Sequence, residues 1–146
     1  MPLLVVGADH VVGEAIVQQT LAPDREVRAF VTDPGKGAEL KDLGAKVAVG
    51  DLTDEGHIAA AATRCFVIAF VLDAIADGRE LAFADAEAVP TLWAAAAEAA
   101  GVTRVIWVGD RAARVRVAEV ATVSVAGRHP DDIAAEVAAL DDRAVL

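Results

Sequence analysis

The chain has no tyrosine, a single cysteine, no lysine after Lys46 and no long apolar run. Each lack removes a class of chemistry. Without a phenol there is no phenolate to relay a proton. A lone Cys65 makes neither an internal disulfide nor a thiolate-rich metal site, and within CFVIAFVL it reads as a small core residue. His10, His57 and His129 lie on separate segments without ligand spacing, so no metal site is expected. No stretch reaches the ~18 apolar residues of a membrane span, and no basic segment leads into an apolar one; the expected setting is the cytoplasm, without membrane attachment. Positive charge is also scarce: 13 Lys and Arg against 23 Asp and Glu give a net charge of −10. No broad nucleic-acid interface is therefore expected, and any phosphate site must rest on local backbone N–H groups.

What is present is a well-buried chain. Hydrophobic residues make up 55% and charged residues 25% of 146 residues, which excludes disorder. That length suits one domain over 1–146, with no separate substrate domain. Short β-branched runs alternate with helical patterns, the mark of βα units on a parallel sheet. Strands are expected at 3–6, 26–31, 46–49, 65–72, 104–108 and 120–125. Helices are expected at 11–21, 38–43, 54–63, 82–100 and 130–140. Thr53 is the expected cap of the third helix, Gly44 and Gly101 close their helices, and Pro90 predicts a kink or restart near Val89. Asp141 and Asp142 read as a solvated terminus. The expected architecture is a three-layer, doubly wound Rossmann-like α/β fold with strand order 3-2-1-4-5-6.

Several segments, in order, resemble the NmrA-like branch of the atypical short-chain dehydrogenase/reductases. They are VVGADHVVGEAIVQQ, VRAFVTDPGKGAEL, LGAKVAVGDLTDEGHIAAAA and AAEAAGVTRVIWVG, spanning roughly residues 2–110. The Gly-Asp-Leu triplet and the Ala-Gly-Val-x-Arg-Val stretch are the most specific pieces. The resemblance implies an NAD(P)-binding groove. In the family's GxxGxxG loop the first glycine permits the turn, the second admits the pyrophosphate and the third lets helix and strand pack closely. Gly7 and Gly13 match the first and third, with Asp9 and Val11 beside them. The second falls on His10, whose ring takes volume that phosphate oxygens would need. A positive φ there would add strain of ~1–2 kcal/mol. Alternatively, His10 swings out and donates to a phosphate.

At the end of the second strand, Thr32 stands where relatives that prefer a 2′-phosphate often carry arginine, and Asp33 adjoins it. This favours NAD slightly over NADP, though Asp33 serves equally to open the Asp-Pro-Gly turn. Asp51 and Leu52 match the residues that contact adenine in the family; Asp51 could instead cap the next helix. After the fourth strand, Val71-Leu72-Asp73-Ala74 replaces a small residue and crowds the groove. The larger superfamily's Tyr-x-x-x-Lys chemistry is excluded by composition, so no catalytic residue is assigned. The expected function is an NAD(P)- or nucleotide-binding module with weakened cofactor binding, a sensor or regulatory protein. A reductase working without the Tyr-Lys pair and a structural protein that has lost its ligand are the alternatives. A homo-oligomer, in the simplest case a dimer, is the expected assembly, through the alanine-rich face near Leu92 and Trp93 or the last helix.

Overall fold

Leu3–Val6 (β1) is buried at every position, as befits a strand covered on both faces. In the computed structural model, which describes residues 2–146, it lies at the centre of a six-stranded sheet. The others are Val27–Val31 (β2), Lys46–Val49 (β3), Val67–Val71 (β4), Arg104–Val108 (β5) and Glu119–Val123 (β6). All pairings are parallel, in the order β3-β2-β1-β4-β5-β6. Five helices connect them: Val11–Thr20 (α1), Pro34–Leu43 (α2), Glu55–Ala61 (α3), Val89–Ala100 (α4) and Pro130–Asp142 (α5). Helix α1 packs against α5 and α2, and α3 against α4, the two helical layers of a Rossmann-like fold. The order reverses between β1 and β4, so a crevice opens at their carboxyl ends.

Local chemistry sets most boundaries. Helix α2 starts at Pro34, four residues before the expected start. Asp33 accepts from the Gly35 N–H, and proline at the first turn gives up a donor that has no partner there. Pro90 acts similarly: α4 begins afresh at Val89 after a 3₁₀ turn, Ala86–Ala88. The cap of α3 is Asp54, not Thr53; its carboxylate accepts from the His57 N–H at 3.1 Å. Thr53 is buried and turned toward a different segment. His129 caps α5 by accepting from the Asp131 N–H at 3.1 Å.

The core centres on Phe70, which stacks on Trp93 at 5.1 Å and meets Trp107 at 4.9 Å. The Trp93 indole donates to the Leu52 carbonyl at 2.8 Å. Trp93 is thus a core residue and offers no exposed contact surface. Ala94, Ala96 and Ala97 are small enough to bring α4 close to the sheet. Cys65 is buried, which pushes its thiol pKa up.

The amino ends of the strands hold a polar cluster. Arg104 is 0% exposed. Its guanidinium donates to the carbonyls of Leu140 and Arg143 at 2.9 and 2.8 Å and to both Glu119 carboxylate oxygens. It also lies 5.2 Å from the centre of the Phe66 ring. Asp141 is no solvated terminus: it is buried and paired with Arg25. Burial outweighs the Arg25 attraction there and holds the carboxyl above the ordinary range.

Candidate functional site

The first turn after β1 keeps the glycines that packing needs. Gly7 has φ +84°, and a Cβ on it would sit 2.8 Å from the Ala74 Cβ and 3.2 Å from that of Val71. A Cβ on Gly13 would run into the Gly7 carbonyl and the Ala8 backbone. Both residues are therefore required by contacts within the protein. His10 has φ −80° and ψ 150°, so no positive-φ strain arises there. It is the N-cap of α1, and its Nδ1 accepts from the Val12 N–H at 3.2 Å. The ring folds over the helix terminus and takes a donor that an anion would use. Val11 is exposed beside it.

Asp9, Thr32 and Asp33 meet at the carboxyl ends of β1 and β2. The buried Asp9 carboxylate accepts from the Thr32 and Asp33 N–H groups at 2.9 and 3.0 Å. Its other oxygen accepts from Arg79 at 2.6 Å. Arg79 also donates to the Thr32 hydroxyl at 3.1 Å and pairs with Asp77. Burial alone would raise the Asp9 pKa, but Arg79 and the two amides outweigh it and hold the group below the ordinary range. Asp77 and Asp9, acting against desolvation, push Arg79 up. The Asp33 side chain is committed to capping α2. A cleft of about 610 Å³ remains outside this cluster, lined by Asp9, Asp33, Lys36, Asp77, Arg79 and Glu80.

Asp51 and Leu52 follow β3, and their groups are also engaged. One Asp51 oxygen accepts from the Thr53 N–H at 2.8 Å and from its hydroxyl; the other accepts from the Ala82 N–H at 2.9 Å. These hydrogen bonds overcome burial and lower the Asp51 pKa. The Thr53 hydroxyl accepts from the Phe83 N–H at 2.9 Å. Leu52 is 0% exposed, so its side chain presents no surface to a base. Asp51 neither caps α3 nor stands free. It ties down residues 82–83.

The sequence pattern singled out Asp9, Thr32 and Asp51 and missed what binds them. Arg79 is the sole basic residue between Arg64 and Arg104. That isolation in an acidic loop was the available signal. Thr53 does not cap α3; its hydroxyl serves Phe83 instead.

As arranged, the groove's acceptors hold donors from residues 79–83, which a nicotinamide dinucleotide would have to replace. Ala74 and Val71 fill the space beside Gly7, His10 covers the α1 terminus, and the acceptors at β2 and β3 already hold protein donors. A further cleft, about 640 Å³, opens beyond β4 and β5 beside Leu72, Ile75, Pro90, Asp110 and Arg111. Among the described residues, no three His, Cys, Asp or Glu side chains group to hold a metal, and no helix is long and apolar enough to cross a membrane.

Among solved structures, the fold is similar to the anaerobillin reductase ChuY from Escherichia coli O157:H7. The TM-score is 0.74 at 19% identity, covering 99% of this chain and 92% of that one. It is also similar to the triphenylmethane reductase of Citrobacter sp. complexed with NADP(H), with a TM-score of 0.61 at 22% identity over 75% of this chain and 37% of that one. The third is an NADPH-dependent quinone oxidoreductase from Escherichia coli complexed with NADPH. There the TM-score is 0.58 at 19% identity, covering 73% of this chain and 36% of that one. The chain thus spans nearly all of the first but little more than a third of the other two. These likenesses establish the fold. No curated protein matches the sequence. A family model described as NAD(P)H-binding matches residues 7–141. On that match, laid over a parallel sheet whose crevice lies at the β1/β4 reversal, the chain belongs to the NAD(P)H-binding family.

Proposed function

We propose that this is a nicotinamide-nucleotide-binding module of weakened affinity, serving a regulatory or sensing role without hydride-transfer turnover of the Tyr-Lys type. One observation carries the reading. The glycines that the fold itself needs, Gly7 and Gly13, are kept, whereas the position that only a diphosphate needs is His10, whose ring occupies the helix terminus. Asp9, Asp33, Asp77 and Glu80 outnumber Lys36 and Arg79 around the cleft by β2, which favours an unphosphorylated ribose and hence NAD over NADP. Thermal unfolding with NAD, NADH, NADP and NADPH tests this. A ligand at 100 times its Kd adds about 2.7 kcal/mol. At millimolar cofactor the shift falls well short of that, largest for NAD or NADH; full stabilisation at micromolar cofactor contradicts the reading.

A second reading, a small reductase, is supported by the cleft beyond β4 and β5 and by the similar length of ChuY. In that reading hydride transfer needs positioning alone. Oxidation of NADH or NADPH in the presence of quinone and tetrapyrrole acceptors separates the two. Turnover establishes the reductase, and its absence across both acceptor classes leaves the binding module.

A further inference from the structure

Residues 77–85, between the 3₁₀ turns Leu72–Ala76 and Ala86–Ala88, form no helix or strand, yet four polar contacts fasten them across the groove. Arg79 reaches Asp9 at 2.6 Å and Thr32 at 3.1 Å. The Ala82 N–H reaches Asp51 at 2.9 Å, and the Phe83 N–H reaches Thr53 at 2.9 Å. The four receiving groups come from the ends of β1, β2 and β3. Asp51 is the carboxylate that would accept from an adenine amine, while Asp9 and Thr32 border the ribose position at the end of β2. The segment thus saturates acceptors of the groove with a guanidinium and two backbone N–H donors, among them the Asp51 carboxylate to which an adenine amine would donate. Gly78, at φ +88° with no atom within 4 Å of a built Cβ, lets the chain turn back at Arg79. Phe83 is 69% exposed, so apolar burial of its ring does not hold the segment down.

We propose that residues 77–85 are an intramolecular latch on the adenosine half of the groove, displaced when a nicotinamide dinucleotide binds. The latch rests on the binding reading above and adds its regulation. Ligand affinity is then set by two separate elements: His10 at the diphosphate end and the Arg79 segment at the adenosine end. A dinucleotide that displaces the segment is opposed by the cost of breaking its contacts, so loosening the latch tightens binding. NADH is the suitable probe, because it lacks the 2′-phosphate that Arg79 could contact directly.

The test joins calorimetric titration with NADH to amide hydrogen exchange at Ala82 and Phe83, on the native chain, on Arg79→Ala and on Ala82→Pro, which lacks the N–H. Each variant is also made with His10→Gly, to restore space at the diphosphate end. The latch predicts that Arg79→Ala and Ala82→Pro each lower the Kd for NADH by tenfold or more. It also predicts that the Ala82 and Phe83 amides of the native chain lose protection at saturating NADH. Binding with both amides still protected, or affinity unchanged in both variants, overturns the latch and leaves the binding reading standing. No binding by any variant at millimolar NADH overturns both.

Discussion

The two ends of the sheet carry polar clusters of similar make-up and opposite meaning. At the amino ends, Arg104, Glu119, Arg25 and Asp141 join β5, β6, the segment before β2 and the end of α5. At the carboxyl ends, Asp9, Arg79, Thr53 and Asp51 join β1, β2 and β3 to a segment without regular structure, beside an open cleft. Each cluster pairs guanidinium with carboxylate and backbone. Position on the sheet separates them: in open α/β sheets ligands bind at the carboxyl edge, where the strand order reverses. Residue chemistry alone does not identify a site; the edge on which it lies does.

Changes at the amino edge should therefore cost stability, and changes at the carboxyl edge should alter ligand affinity and acid behaviour. The largest expected effect is Arg104→Met. It leaves the Leu140 and Arg143 carbonyl oxygens without their donor, and about 1–3 kcal/mol of stability is lost. Denaturant unfolding measures this. A loss under about 1 kcal/mol would erase the distinction between the two edges.

A smaller effect follows from Asp9. Its folded-state pKa lies below 3.8, so ionised Asp9 supports folding fully above about pH 4, and that support is lost as pH falls through the lowered value. Asp141 runs in the opposite sense. With a raised pKa, it holds its proton longer in the folded state and weakens folding as pH rises through that value. Asp9→Asn should thus lose less stability than the native chain between about pH 5 and pH 2 in urea unfolding. Equal acid slopes would show that Arg79 and the two amides do not bias Asp9 toward its charged form.

Much of the fold was legible because its signals are local. The parallel sheet followed from the alternation of short β-branched runs with helices and its strand order from the doubly wound pattern, while Gly44, Gly101 and Pro90 marked ends and starts that the structure reproduces. The misplaced cap at α3 shows the limit of such signals. Thr53 and Asp54 are both good caps, and the choice turned on a contact from Thr53 to Phe83, thirty residues away. Arg104 was visible within the family-like stretch VTRVIWV, yet its partners lie 15 to 40 residues further along. Buried Asp141 read as solvated for the same reason. At the groove, the exchange of glycine for His10 was plain in the sequence, but the ring's bond to the Val12 N–H depended on its rotamer. Arg79 lay outside every motif. Its bond to Asp9 spans seventy residues and arises because the chain turns back after β4.

At His10 an imidazole stands where a diphosphate would touch the main chain. Calorimetric titration of the native protein and of His10→Gly with NADH tests it most directly. Weak native binding is expected, with the variant at least tenfold tighter, a gain of about 1.4 kcal/mol or more. A native Kd in the low micromolar range, with no improvement on removing the ring, would contradict it.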